Sequence, residues 1–290
     1  GLSGPGCLFG LNADELMDIL DISEYTSYKI VQRMKTMNVF LKHIYEYEQK
    51  GIRIITKYDE EYPQILVKKM KKNAPTCLFV VGNLPVEFEG ISLTGLQTVT
   101  KKEKGCIKRL VDKINNENKW LISNDCKGVD QEAFQYALHH HGHIISFLCE
   151  KMEDKAMEYK RYIRSGNLVL LSAIDPIKRF TVTHAIDRNS YVCGLSKFQV
   201  VVSSKINSGA TWFTIMHNMH HNWTISLVID NDCFGNQRLL EMKTTPLYVK
   251  NIVSDMSFEM IYNENKKEEV EEEINIDQMS IFEFIGDANG

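Results

Sequence analysis

From residue 90 onward the chain alternates strand-sized apolar runs with amphipathic stretches. Ile91–Thr94, Trp120–Ser123, His143–Leu148, Leu168–Ser172, Phe198–Ser203 and Thr224–Ile229 read as strands. Between them Glu103–Asn116, Asp130–His141, Met157–Ser165 and Thr211–His220 carry helical spacing. Repeated βα units with short connections predict an α/β fold with a mostly parallel sheet. Right-handed crossovers make that sheet doubly wound, with helices on both faces.

The first fifty residues follow another period. Leu16, Ile19 and Leu20 repeat at helical spacing behind Asn12-Ala-Asp-Glu15, which reads as a capping box. Tyr28, Ile30, Val31, Met34 and Val39–Tyr47 continue the pattern. The expectation is a small helical module over 7–50, either an independent SAM-like or helix-hairpin unit or a cap packed on the main domain. Gly51–Leu66 then reads as a strand, a Tyr-Pro turn and a short helix, and Ala74–Asn83 adds a strand closing on Gly-Asn. The main domain is expected over 51–255. Beyond it the pattern fades into an acidic flexible tail over 256–290. Within that tail, Asn263–Glu273 forms a charged tether leading to the apolar peptide Gln278–Phe284.

Composition narrows the class. The chain has 290 residues, 43% hydrophobic and 25% charged, as in an ordinary globular protein. Apolar runs fall well short of the ~20 residues that span a bilayer, so no membrane partner is expected. Residues 1–6, Gly-rich and without an initiating Met, read as an appendage to the fold, and no signal peptide is expected. Seven cysteines, with no pair at C-x-x-C spacing, argue for a reducing cytoplasm and against a disulfide framework or zinc site. The net charge of −4 does not mark a nucleic-acid binder, but Glu268–Glu273 concentrates acid in the tail and leaves room for a basic patch on the body.

Candidate chemistry gathers at strand ends. Ser208-Gly209-Ala210-Thr211 follows a buried strand and opens a helix. Ser208 or Thr211 can cap it, and its free N–H groups can hold a phosphate. Gly95 and Gly128 stand in the turns after the first and second strands of the main domain, where backbone approaches a ligand. Asp130, at a helix start, reads first as an N-cap favourable to the dipole by ~0.3–1 kcal/mol. His139–His141 diverge around a helix and do not converge on one ion; His217 and His221 stand four apart without a third ligand nearby in sequence. No metal and no cofactor are expected, and no Walker A, Gly-x-Ser-x-Gly or His-Glu-x-x-His motif is present.

Several of these segments, taken in order from about Gly51 to Ile252, resemble the DNA-processing protein DprA (Smf) family, whose domain is Rossmann-like. They are the Tyr62-Pro63 element, Gly82-Asn83, Ser123 with Gly128-Val-Asp130 and Ala133, and Arg188-Asn189. Gly194-Leu-Ser196, the strand after it and Ser208-Gly209 complete the set. The chain departs from the family at two arginines: Gln97 and Ser190 stand where it carries Arg. The resemblance implies a protein that binds single-stranded DNA, self-associates as a homodimer and loads a RecA-type recombinase. Its role would lie in DNA processing, recombination or phage defence. It places Gly95, Gln97, Ser123, Lys127, Gly128, Arg188, Asn189, Ser208, Gly209 and Thr211 at the ligand. Arg188 reads from its surroundings as part of a polar Arg-Asn turn, either clamping a phosphate or pairing with Asp187.

The same crevice in related LOG-type enzymes binds nucleotides. An N-glycosidase or nucleotide sensor is therefore the alternative, with Asp125, Asp130 and Asp187 as candidate catalytic carboxylates. The LOG-type Glu itself is absent, since Phe213 and Thr214 occupy that turn. Gln278, Ile281 and Phe282 resemble a sliding-clamp docking peptide.

Overall fold

The structure is a computed structural model and describes residues 5–265. Three helices open the chain: α1 (Ala13–Leu20), α2 (Glu24–Lys35) and α3 (Met37–Gln49). The capping box at α1 forms as the spacing predicts, with the Asn12 side chain accepting from the Glu15 N–H and the Glu15 carboxylate accepting from the Asn12 N–H at 2.8 Å. β1 (Arg53–Thr56), α4 (Gln64–Met70) and β2 (Cys77–Val81) lead into the alternating region. That region runs β3 (Gly90–Thr94), α5 (Lys101–Asn116), β4 (Trp120–Ser123), α6 (Val129–His139), β5 (His143–Leu148), α7 (Met152–Glu158), α8 (Lys160–Arg164) and β6 (Leu168–Ser172). It continues through α9 (Val182–Leu195), β7 (Ser196–Val201), α10 (Gly209–His221), β8 (Ile225–Ile229), α11 (Phe234–Glu241), β9 (Thr245–Leu247) and α12 (Val249–Ile252).

The strands form one sheet in the order β1-β2-β6-β5-β4-β3-β7-β8-β9. β1 pairs antiparallel with β2, and β2 with β6; all other neighbours are parallel. The chain starts the parallel part in the middle, at β3. It winds outward through β4, β5 and β6, then returns to the other side of β3 for β7, β8 and β9. This is the doubly wound arrangement, and β3 with β7 marks the point where the direction of winding reverses.

Alternate residues of the central strands face different cores. Ile91, Leu93, Phe198 and Val200 pack with α5 and α6 residues such as Ile107, Leu110 and Phe134. Ile122, Ile145 and Val169 face the other way, against Leu66 and Met70 of α4 and Val192 and Leu195 of α9. On that second face β3, β7 and β8 break the apolar rule. Ser92 lies in register with Gln199, and Gln199 with Ser226, so three polar side chains form a stripe across the sheet.

The structure departs from the sequence reading in three places. Arg188 and Asn189 are not in a turn. They sit in the middle of α9, which starts at Thr181, whose hydroxyl accepts from the His184 N–H, and runs unbroken to Leu195. Arg188 is buried there and Asn189 half-buried, bonded to Cys149, Asn124 and Thr214 on neighbouring segments. α9 closes at Leu195 with Ser196 as its C-cap, and a Cβ on Gly194 would lie 2.6 Å from Met70 Sδ and 2.8 Å from Leu66 Cδ2, so the glycine lets α4 pack close. The single helix expected over Met157–Ser165 starts earlier and is divided at Tyr159 into α7 and α8. Lastly, the body continues past the tail boundary expected at 255. Residues 258–265 are helical, with Phe258 and Ile261 fully buried and Phe258 stacked near Phe198 at 6.3 Å between ring centroids. Asn265 donates to the Pro246 carbonyl at 2.6 Å. Two apolar residues three apart in a charged segment suffice to dock one helical turn face on the core. Gln278, Ile281 and Phe282 lie outside the described residues.

Among the described residues no helix is long and apolar enough to cross a membrane. No disulfide forms among the described residues.

Candidate functional site

A reversal of winding leaves a gap, because the helices on either side of β3 and β7 run away in opposite directions. Here the gap is a crevice of about 510 Å³. Its walls come from the turn after β3, the loop after β4, one face of α9, and the loop and first turn of α10. Of the expected ligand residues, Gly95, Gln97, Lys127, Arg188, Asn189, Ser208, Gly209 and Thr211 line it.

Two expected residues do a different job. Ser123 is fully buried and its hydroxyl donates to Asp130 at 2.9 Å, inside the loop rather than into the crevice. Asp130 also accepts from the backbone N–H groups of Asn124 (3.2 Å) and Cys126 (3.0 Å). It staples the loop from the second residue of α6 and is not the N-cap expected of it: that position is Gly128, and Asp130 reaches back to N–H groups before the helix. Gly128 has φ +101°, and a Cβ there would lie 2.5 Å from Gln97 Cα and closer still to the Leu96 carbonyl. The neighbouring Val129 N–H donates to that same carbonyl at 3.2 Å. The missing side chain at Gly128 thus serves to press one loop on the other, not to admit a ligand. Gly95 is similarly tight against Val129 and Ser203.

Burial pushes the Asp130 carboxyl up from 3.8 to about 6, against the pull of its three hydrogen bonds. The native state therefore holds an extra proton between about pH 4 and 6. The stability from that proton is full below pH 4 and is lost as pH rises through 6. A carbon-detected titration should place the Asp130 midpoint near 6, and Asp130→Asn should remove the slope of stability across that window. A midpoint below 4 would contradict this account.

Arg188 is the unusual group. It is 8% exposed, yet it forms no ion pair among the described residues. Its guanidinium donates to Cys149 Sγ at 3.2 Å and, through Nε and Nη2, to Asn189 Oδ1 at 3.3 and 3.1 Å. The pairing with Asp187 does not form. Successive helix residues point about 100° apart, which puts Asp187 on the exposed side of α9. The thiols are no counterions. Burial pushes Cys149 up and Cys126 up to about 11, so both keep their protons at neutral pH. Asn189 holds the region together, accepting from Asn124 Nδ2 at 3.0 Å and donating to Thr214 Oγ1 at 3.2 Å.

The start of α10 lines the same crevice as Arg188. Neither expected cap is made: the Ser208 side chain forms no cap bond, and the Thr211 hydroxyl donates instead to the Gly95 carbonyl at 2.8 Å. The first-turn N–H groups are left to the crevice, at the positive end of the helix dipole. Gly209 holds φ +82° with open space where a Cβ would stand. Lys127 and Lys205 are exposed at the mouth.

The three candidate carboxylates are not presented for catalysis. Asp125 takes a left-handed backbone (φ 51°) and pairs with Lys155 at 2.7 Å, outside the crevice. Asp187 is exposed and does not line the crevice. Asp130 lines the crevice, but both its oxygens are engaged. No group of His, Cys, Asp and Glu that could hold a metal occurs among the described residues. Sequence reasoning missed Asn124, Lys205, Ser92 and Gln199 as crevice residues. The last two carried a signal, as polar side chains inside otherwise apolar strands.

A family model, DNA recombination-mediator protein A, matches residues 53–257. No curated protein matches the chain. Two solved structures share its fold. DNA processing protein A from Streptococcus pneumoniae is 19% identical, with a TM-score of 0.68 over 88% of this chain and 90% of that one. DNA processing protein A from Helicobacter pylori, whose structure concerns its single-stranded DNA binding mode, is 18% identical, with a TM-score of 0.57 over 69% and 92%.

Proposed function

Because the chain belongs to the DNA recombination-mediator protein A family, we propose that its crevice binds single-stranded DNA, holding the strand by its phosphates. The observation that carries this reading is Arg188, a buried guanidinium with no carboxylate partner, lining a crevice that the uncapped N-terminus of α10 also lines. A buried charge without a counterion is unfavourable, and a phosphate supplies the missing charge with a geometry that suits the guanidinium fork. Lys127 and Lys205 extend the positive surface to the mouth, where neighbouring phosphates of the strand would lie.

A flexible single strand can turn one phosphate into this recess. DNA processing, recombination or phage defence is the setting this activity fits. A RecA-type recombinase and a second copy of the chain are the partners to test. Ile206, Phe213 and Phe234, exposed near the α10 and α11 starts, offer apolar surface for such contacts. Docking on a sliding clamp through Gln278, Ile281 and Phe282 belongs to the same reading.

The test is fluorescence anisotropy with a labelled oligonucleotide over a salt series. A single-strand phosphate contact contributes about 0.7 to the slope of log affinity against log salt. The Lys127→Ala/Lys205→Ala double variant should therefore bind more weakly and flatten that slope by about 1.4. An unchanged affinity and slope would overturn the reading.

A further inference from the structure

The exposed side of α5 is basic from its first residue to Arg109. Lys101, Lys102, Lys104, Lys108 and Arg109 are all exposed there, and no exposed carboxylate stands among them. Glu103 is drawn back to cap the helix, accepting from the Thr100 N–H at 2.7 Å, and Asp112 accepts from the Tyr136 hydroxyl at 3.1 Å. Lys104 pairs with Glu132; the other four cations form no ion pair among the described residues. Helix physics opposes this arrangement. Lys101 and Lys102 are the first two residues of α5, where the macrodipole disfavours positive charge. Lys101 and Lys104 stand three apart, Lys104 and Lys108 four apart, and like charges at those spacings repel. The ridge lies outside the crevice, which none of the five residues lines.

We propose that this ridge is the docking surface for the chain's own acidic segment, Glu268–Glu273, whose carboxylates pair with Lys101, Lys102, Lys108 and Arg109. The pairing goes beyond the strand-binding reading and does not depend on it. The path of the chain supports it. The C-terminal residues are fastened beside α5: Lys113 donates to the Ser254 carbonyl at 2.9 Å, and the Phe258 N–H donates to Glu117 at 3.2 Å. Arg109 shares a groove with Ile252–Asp255. Phe258 and Ile261 then join the same core as Ile107 and Leu110 of α5, so the chain reaches Asn265 on α5's side of the sheet. Asn265 bonds to Pro246 of β9. β9 stands three strands from β3, roughly 14 Å away. Glu268 and Glu273 follow Asn265 by three and eight residues, a reach of about 10 and about 27 Å. That span is enough to lay the glutamates along α5. Five carboxylates within six positions match four unpaired cations in sign and nearly in number. Pairing them relieves both the dipole and the repulsion along the ridge.

Full-length chains, unlabelled and nitrogen-15-labelled in equal mixture, are treated with a water-soluble carbodiimide, which joins a carboxylate to an ammonium as an amide. Mass spectrometry reads the coupled peptides. Glu268–Glu273 should couple to Lys101, Lys102 or Lys108 within chains of one isotope. The yield should fall about tenfold between about 0.05 M and about 0.5 M salt, because exposed pairs are screened. Changing the five glutamates to glutamine should lower the melting temperature by about 2–4 °C at low salt and leave it unchanged at high salt. In a chain whose Lys101, Lys102, Lys108 and Arg109 are changed to alanine, the same glutamine changes should have no effect, which completes a double-mutant cycle.

Coupling of the acidic segment to lysines elsewhere, Lys127 or Lys205 for example, in place of the ridge overturns the proposal, a result that needs no variant to fold. So does coupling between chains of different isotope, which makes the occupant the tail of a second copy. A melting shift of the glutamine variant that persists without the ridge cations overturns it as well. Titration with a labelled single strand covers the remaining occupant. If no coupling forms, and the ridge alanines weaken strand affinity while the glutamine changes do not strengthen it, the ridge is a nucleic-acid contact and the tail assignment falls. If no variant binds a strand but coupling and the cycle hold, the strand reading falls and the ridge pairing stands.

Discussion

Gly128→Ala is expected to destabilise the protein by ~3 kcal/mol or more, the largest effect of any single methyl group near the crevice. The position combines two penalties. Its φ of +101° lies where an L side chain is strained by ~1–3 kcal/mol. The new Cβ would also meet Gln97 Cα at 2.5 Å and the Leu96 carbonyl, both backbone, so no side chain can swing aside. Relief requires the loop over 123–128 to lift from the turn after β3, which breaks the Val129 bond to Leu96. Gly209→Ala is the matched control. It has a similar positive φ but open space around the Cβ, so only the conformational cost of ~1–2 kcal/mol applies. Urea unfolding of both variants measures the difference. A Gly128→Ala midpoint no lower than that of Gly209→Ala would contradict the packing argument.

Arg188→Met should move stability and binding in opposite directions. Replacing a buried, unpaired charge by an apolar chain of similar reach is neutral to stabilising for the free protein. Removing the cation that meets the phosphate should weaken single-strand binding at least thirtyfold, from the ~2 kcal/mol or more that a desolvated charge contact contributes. Arg188→Lys keeps the charge without the planar fork and should fall between the two. Thermal melting with and without an oligonucleotide reads both effects together. Binding by Arg188→Met at the native level would refute the assignment of Arg188 to the ligand.

The strands were legible because buried parallel strands are written as apolar runs; Leu168–Ser172 and His143–Leu148 match residue for residue. The sites of the loops were legible too, since Gly95, Gly128 and Gly209 mark turns that other residues resist. What each loop residue does was not. Gly128 and Gly209 look alike in sequence, yet one packs against backbone and the other faces open space. Asp125 is held away from the crevice by its ion pair with Lys155, thirty positions away on α7. Arg188 reads as a surface residue because a charged side chain usually is one. Its burial, and the polar side chains of Ser92 and Gln199 in the same crevice, exist only when the strands are set in register.

That register has a mechanical side. β3 is the seam where two halves of the sheet, laid down at different times along the chain, meet. On the one side the crevice wall is the loop after β4; on the other it is the start of α10. The direct ties between these walls are few and short: Asn124 to Asn189, Asn189 to Thr214, Thr211 to Gly95. A molecule held at once by Lys127, Arg188 and the α10 backbone would act as a rivet through that seam. It would make the two halves open together where they could otherwise fray apart, and so turn occupancy of a small recess into rigidity of the whole sheet.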